Sequence, residues 1–337
     1  MLSESLSSEI HRFCVAPMMD WTDRHCRVFH RILAPSALLY SEMVTTGAVL
    51  HGDRDRLLGF NEREHPLALQ LGGSDPAELA ECARIGRDRG YDEINLNVGC
   101  PSDRVQRGRF GACLMLEPRL VVDCVSAMRD AVEIPVTVKT RIGVDDCDSY
   151  AWFSDFVNQV AISGCEVFII HARKAWLTGL SPKENREVPE LRPEWAYQLK
   201  KECPELTIVL NGGILTAADV RQHLQRLDGV MLGRAAYQNP WVLAEIQREL
   251  FQSAGVPDRD TAVSRMSDYL RGQVRLGVPV KKISRHMLGL YQGLPGARTW
   301  RRFISERAHL DTANEQLLLQ ALEAMKASVP SRDRHVA

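Results

Sequence analysis

Glu93-Ile94-Asn95-Leu96-Asn97-Val98 is a short β-type run that stops abruptly at Gly99-Cys100-Pro101. Residues 76–88 before it and 120–129 after it repeat apolar side chains at three-to-four-residue spacing, the pattern of amphipathic helices. A strand set between two such helices is the repeating unit of a parallel α/β sheet. Outward from this unit the same alternation recurs, with β-runs at 13–16, 38–41, 67–71, 136–139, 167–171, 207–210 and 229–232. Helical stretches at 149–162, 194–200 and 217–224 follow three of them, and a longer, less regular segment separates the second run from the third. Eight βα units fit a parallel (β/α)8 TIM barrel of about 250 residues better than an open sheet. No Gly-x-Gly-x-x-Gly follows the first run, where a dinucleotide-binding open sheet would carry it.

Beyond residue 251 the pattern is wholly helical, with stretches at 259–276, 280–292, 296–308 and 312–326. The expected fold class is therefore α/β, a TIM barrel followed by a small all-α bundle. The expected domains are 1–250 for the barrel and 251–330 for the bundle, with 331–337 as a tail.

The 337 residues, 45% hydrophobic and 25% charged, have the balance of a globular protein and exclude disordered and collagen-like classes. No apolar run approaches the roughly 18 residues of a membrane span, and the acidic, serine-rich start does not read as a leader, so a cytoplasmic protein with no membrane partner is expected. Nine cysteines, an odd number without a Cys-x-x-Cys pair, suggest neither a disulfide framework nor a metal site. Net charge is only −1, yet residues 271–310 hold nine Lys/Arg against the single Glu306, a local excess of 9 − 1 = +8. Such asymmetry points toward a polyanionic partner, although a solvated helix face produces similar clusters.

Barrel enzymes carry their chemistry at the C-terminal ends of the strands. Here those ends read Pro17-Met18-Met19, Glu42, Gln70, Asn97 with Cys100, Lys139 with Arg141, His171 with Arg173, Asn211-Gly212-Gly213 and Gly233-Arg234. Eight strand ends populated this way exceed what capping requires. The glycine turns after the seventh and eighth strands sit where barrels bind phosphate through backbone N–H groups. Lys139 at a barrel mouth suits either a Schiff base or a fixed cation beside an electron-rich cofactor. Cys100, lifted on a rigid Gly-Cys-Pro turn, suits a nucleophile or a general acid, and the residues alone leave both open.

These motifs closely resemble those of the tRNA-dihydrouridine synthases, flavoenzymes that reduce a specific uridine of tRNA. The likeness is carried by Ala16-Pro17-Met18-Met19-Asp20, Gln70-Leu71-Gly72-Gly73, Asn95-Leu96-Asn97-Val98-Gly99-Cys100-Pro101, Val138-Lys139-Thr140-Arg141, Ile170-His171-Ala172-Arg173 and Asn211-Gly212-Gly213, in the family's order. Ser41-Glu42-Met43-Val44-Thr45-Thr46-Gly47 and the loop from Lys174 to Arg186 look like the bacterial A-type subgroup, which acts on D-loop uridines 20 and 20a.

The resemblance implies FMN over the barrel mouth. Pro17, Met18 and Met19 would line its ring system, Gln70 and Lys139 its polar edge with His171 nearby, and Asn211, Gly212, Gly213, Gly233 and Arg234 its phosphate. It further implies NADPH as reductant, hydride delivery to uracil C6, and Cys100 as the acid that protonates C5. Asn97 would meet the uracil carbonyls, and Arg173 would either stabilise developing negative charge or serve a flavin-phosphate contact or a structural ion pair. Lys183 and Arg186 on the loop after the sixth strand, with Arg298 and Arg301 on one face of a late helix, would orient tRNA. A monomer is expected, and Cys113 receives no role.

Three alternatives share parts of this pattern. A flavin barrel dehydrogenase of a free pyrimidine, of dihydropyrimidine or dihydroorotate type, needs no polyanion surface. A Schiff-base aldolase using Lys139 leaves Cys100 and Gln70 unexplained. A non-catalytic RNA-binding module needs neither Lys139 nor Cys100.

Overall fold

The computed structural model describes residues 9–251 and 255–329. The expectation for 331–337, and that for all but the last residue of the segment 1–9, lie outside the described residues. All eight expected β-runs are strands: β1 (Phe13–Val15), β2 (Leu38–Tyr40), β3 (Leu67–Gly72), β4 (Glu93–Val98), β5 (Val136–Arg141), β6 (Val167–His171), β7 (Thr207–Asn211) and β8 (Gly229–Leu232). Every pairing among these strands is parallel; β1 pairs with both β2 and β8, and β2 with β3, so the sheet closes into a (β/α)8 barrel. A two-residue strand, Val44–Thr45, joins β3 from outside the eight, in the irregular segment before it.

The chain packs as two units, one comprising residues up to Asp20, Ala37–Ile214 and Ala218–Gly233, the other Trp21–Ser36, Leu215–Ala217 and the chain from Arg234. This division differs from a boundary at 250 by assigning helices Arg24–Leu33, Arg234–Gln238 and Trp241–Leu250 to the second unit. Amphipathic periodicity marks such helices without saying which core they cover.

In the first unit, alternation along the strands sends Cys14, Ala16, Leu38, Tyr40, Ala68, Val167, Ile169, Val209 and Met231 into one buried cluster, against which Met18 packs. Outer helices start at local signals. Asp75 accepts from the Glu78 N–H and Pro76 opens Pro76–Asp88, while Ser149 Oγ accepts from the Trp152 N–H ahead of Tyr150–Ala161.

In the second unit, Asp258 caps Arg259–Arg275, whose Ala262, Val263, Met266, Tyr269 and Leu270 form the buried stripe. Asp23 caps Arg24–Leu33 and reaches Arg285 at 2.7 Å and His286 at 3.0 Å, while His25 Nδ1 lies 2.8 Å from the Tyr269 hydroxyl. Two helices are shorter than expected. The stretch 280–292 is helical only over Val280–Ser284 with a 3-10 turn to Met287, and beyond it Gly289 packs directly on the Gln238 carbonyl, where a side chain has no room. The last helix begins at Leu317, since Asn314 Oδ1 takes the Gln316 N–H and holds a turn before it. Among the described residues no helix is long and apolar enough to cross a membrane.

Candidate active site

The C-terminal ends of β3, β4, β5 and β7 carry an interlocked set of polar side chains. Gln70 on β3, 1% exposed, donates through Nε2 to Asn95 Oδ1 at 2.8 Å and accepts at Oε1 from Asn97 Nδ2 at 2.9 Å. Asn97 then accepts at Oδ1 from the backbone N–H groups of Gly99 (3.1 Å) and Cys100 (3.0 Å). That pair of bonds shapes the turn on which Cys100 sits, partly exposed as a free thiol with Ser102 Oγ at 3.5 Å. Glycine lets this turn lie close to the sheet, since a Cβ on Gly99 would press on the backbone of Thr140.

Lys139 on β5 donates to Asn211 Oδ1 at 3.0 Å, and Asn211 Nδ2 donates to the Met231 carbonyl at 2.8 Å, which ties β5, β7 and β8. Loss of solvation lowers the Lys139 pKa to about 7, with Arg141 pushing the same way and Cys100 opposing. His171 at the end of β6 lies against Gly212 and is held well below the usual imidazole range by desolvation and then by Arg141, Lys139, Arg173 and Arg186. A neutral imidazole ringed by four basic residues is a site whose electrostatics favour an anion.

Gly212 and Gly213 both take positive φ, 107° and 74°, a conformation that strains other residues. A Cβ on Gly213 would collide with Leu191, and one on Gly212 with His171. Gly233 stands beside Asn211, where a Cβ added to it would lie 3.9 Å from Nδ2, so Asn211, Gly212, Gly213 and Gly233 converge at the ends of β7 and β8. Arg234 opens the short helix Arg234–Gln238 in the second unit. Pro17 and Met18 are partly buried after β1, whereas Met19 is 56% exposed.

Arg141, which has no separate role on sequence grounds, organises the loops. Only 3% exposed, it donates from Nε to the Gly99 carbonyl at 3.0 Å and from a terminal nitrogen to the carbonyls of Lys174 (2.9 Å) and Asn185 (2.8 Å). Burial lowers its pKa to about 10, against the pull of Cys100, and Arg186 and Arg173 add to the depression. Asn185, fully buried, pins the long loop by accepting from the Trp176 N–H and donating to the carbonyls of Trp176, Leu180 and Ser181. Gln106 Nε2 bridges the carbonyls of Pro101 and Leu177, joining the cysteine turn to the same loop. An arginine two positions beyond Lys139 is the available signal for Arg141; nothing local marks Asn185 or Gln106.

Arg173 donates to the carbonyls of Pro189 and Glu187, which places it on the loop backbone. Lys183 and Arg186 are exposed around the 3-10 turn Glu184–Arg186. In the second unit Arg298 and Arg301 are exposed on Ala297–Arg307, and Arg301 donates to Gln292 Oε1 at 2.8 Å. Among the described residues no group of three or more His, Cys, Asp or Glu is arranged to hold a metal ion.

This geometry can hold an electron-rich planar group against Gln70 and Lys139, receive its phosphate on the glycine turns, and offer a thiol proton from a fixed position. The residues therefore fit a flavin mononucleotide: a positive field, two turns open to backbone contact, and polar donors at the strand ends. Comparison with known proteins bears on the same point. The family model described as dihydrouridine synthase matches residues 14–327. A tRNA-dihydrouridine(20/20a) synthase of Yersinia pestis is 59% identical over 321 residues, 95% of this chain and 93% of that protein. Proteins of the same name from Vibrio parahaemolyticus and Escherichia coli K12 are each 60% identical, covering 92% and 93% of this chain and 96% and 91% of their own. Among solved structures, a 2-naphthoyl-CoA reductase aligns with a TM-score of 0.54 at 11% identity, over 70% of this chain and 50% of that one, a likeness of fold alone.

Proposed function

From the premise that this chain belongs to the dihydrouridine synthase family, we propose that it is a tRNA-dihydrouridine synthase reducing D-loop uridines 20 and 20a to 5,6-dihydrouridine. The observation that carries the reading is the convergence of the Asn97-supported Cys100 turn with Gln70 and with the Lys139–Asn211 pair at one barrel mouth. The family is flavin-dependent; FMN is the cofactor these residues fit, and NADPH is the reductant that the resemblance implies. Bound there, FMN would supply the hydride that adds to uracil C6.

The protein's own part is positioning, charge and a proton. Pro17, Met18 and Met19 line one wall, and Gln70 and Lys139 present donors to the polar edge of the ring system. His171, kept neutral by burial and by its cationic neighbours, can donate or accept a hydrogen bond without adding charge. Asn211, Gly212, Gly213, Gly233 and Arg234 are assigned to the phosphate. Hydride addition to a conjugated uracil builds enolate character, which Cys100 quenches by giving the Sγ proton to C5. Asn97 is assigned to the uracil carbonyls, and Arg173 either to that developing charge or to the loop it already braces.

Uridines 20 and 20a lie in folded tRNA, so the target base must leave its stack and the enzyme reads backbone shape more than sequence. Lys183 and Arg186 on the first unit, and Arg298 and Arg301 on the second, are assigned to tRNA phosphates. On this view the barrel unit is catalytic and the helical unit, which includes Trp21–Ser36 and the chain from Arg234, binds tRNA; the enzyme works as a monomer, and its place is the cytoplasm, where tRNA is processed. The family match favours this over a free-pyrimidine dehydrogenase. The test is anaerobic: flavin reduced with NADPH is mixed with unmodified tRNA, uracil or orotate. Reoxidation by tRNA alone is expected; reoxidation by a free pyrimidine would overturn the reading.

A further inference from the structure

A continuous hydrogen-bond chain runs from the Cys100 turn down the barrel interior to a buried carboxylate that the mechanism leaves unused. Below Asn97 and Gln70, Asn95 Nδ2 donates to Thr137 Oγ1 at 2.8 Å, and Thr137 Oγ1 donates to Glu93 Oε1 at 2.6 Å. Glu93 also accepts from the Tyr40 hydroxyl at 2.9 Å, and its second oxygen meets His11 Nε2 at 2.6 Å. Glu93, Asn95, Thr137, Gln70, Tyr40 and His11 are each at most 2% exposed.

The chain has a fixed direction because a backbone N–H only donates, and at the far end Glu93 Oε1 is the acceptor for both Thr137 and Tyr40. Starting from the Cys100 N–H, every link must therefore donate downward: Asn97 to Gln70, Gln70 to Asn95, Asn95 to Thr137, Thr137 to Glu93. Reversing one amide would set two donors or two acceptors face to face in a buried site. Polarisation along such a chain strengthens each of its bonds, including those the Asn97 oxygen accepts from the cysteine turn.

We infer that Glu93, acting through Thr137 and Asn95, is a positioning residue that sets the orientation of the Gln70 and Asn97 amides and so the placement of Cys100 toward the uracil. This rests on the synthase reading. Wild-type enzyme reduced with NADPH and reoxidised by tRNA tests that reading first, and the variants test the inference. In Glu93→Gln the carboxamide can itself turn a donor toward Thr137, opposing the direction that the cysteine turn imposes from the other end. Thr137→Val cuts the chain while leaving Glu93 with His11 and Tyr40, and so keeps the test usable where the Glu93 variant folds poorly. Thr137→Ser restores the hydroxyl.

Because Gln70 also faces the flavin's polar edge, flavin affinity and reduction by NADPH in Glu93→Gln and Thr137→Val are expected to fall, but by no more than about threefold, while reoxidation by tRNA slows about tenfold or more, as small misplacements of reacting groups do. Thr137→Ser is expected to recover most of that loss. The double variant Glu93→Gln/Thr137→Val is expected to be no slower than the slower single variant, since both act on one chain. Wild-type rates in Thr137→Val, equal slowing of both half-reactions, or additive losses in the double variant would each overturn the inference.

Discussion

Lys139 Nζ donates to Asn211 Oδ1 across 3.0 Å, joining the ends of β5 and β7 at the barrel mouth. The ammonium has lost solvation there in exchange for an amide oxygen, which carries no full charge, and its pKa falls to about 7. In the unfolded chain the amine keeps its proton to about pH 10.4, so between pH 7 and that value the unfolded state binds more protons and stability rises with pH. The charged lysine thus costs stability at and below neutrality, and an anionic ligand offsets that cost. Flavin affinity is expected to fall as pH rises above 7, by up to about tenfold per unit, because binding must then recharge Lys139. Fluorescence titration from about pH 6 to about pH 9 checks this, with Lys139→Met expected to bind more weakly and with a flattened profile. An unchanged profile would remove Lys139 from the flavin edge.

Cys100→Ala deletes the proposed proton donor and leaves the backbone bonds from Asn97 in place. Flavin content and NADPH-driven reduction are expected to match wild type, with tRNA reduction slowed by about a hundredfold or more. Stopped-flow measurement of the two half-reactions separates these outcomes. A tRNA rate equal to wild type would sink the acid assignment.

Substituting Lys183, Arg186, Arg298 or Arg301 by Ala is expected to weaken tRNA binding and to reduce the slope of log K against log salt by about 0.7 to 0.9 for each phosphate left without its cation. NADPH oxidation in the absence of tRNA should be unaffected. Binding isotherms across a series of salt concentrations decide it residue by residue, and a residue whose removal leaves the slope intact is surface charge.

Arg141→Lys keeps a positive charge but not the fork that reaches three carbonyls. With buried carbonyls left short of donors, a loss of about 1 to 3 kcal/mol in urea unfolding is expected. The loop after β6 should also become easier to cleave by protease. Unchanged stability would mean that Asn185 and Gln106 suffice to hold these loops.

The barrel was legible because parallel strands announce themselves locally: short apolar runs, Pro or Asp at helix starts, glycine at the turns. Cys100, Gln70, Lys139 and Asn211 were legible because the fold dictates that strand ends face the mouth. The roles of Arg141 and Asn185 were not: Arg141 reaches loop carbonyls tens of residues away, and Asn185 meets backbone groups of an irregular loop that follows no periodic pattern. The allegiance of Arg24–Leu33 was hidden for the same reason. Its amphipathic stripe is legible, but the partners of Asp23 and His25 lie far along the chain at Arg285, His286 and Tyr269.

The second unit's composition from separated stretches of chain bears on how relatives can be recombined. A cut at 250 would deliver the late helices without Asp23 and His25, parting Arg285 and Tyr269 from their partners, and would leave Ser36 and Gln247 on the other side of the junction. The helical region is therefore not a C-terminal cassette. Chimeras meant to exchange tRNA preference between relatives must carry Trp21–Ser36 and the chain from Arg234 together, and lineages that drifted in one of these segments should have compensated in the other.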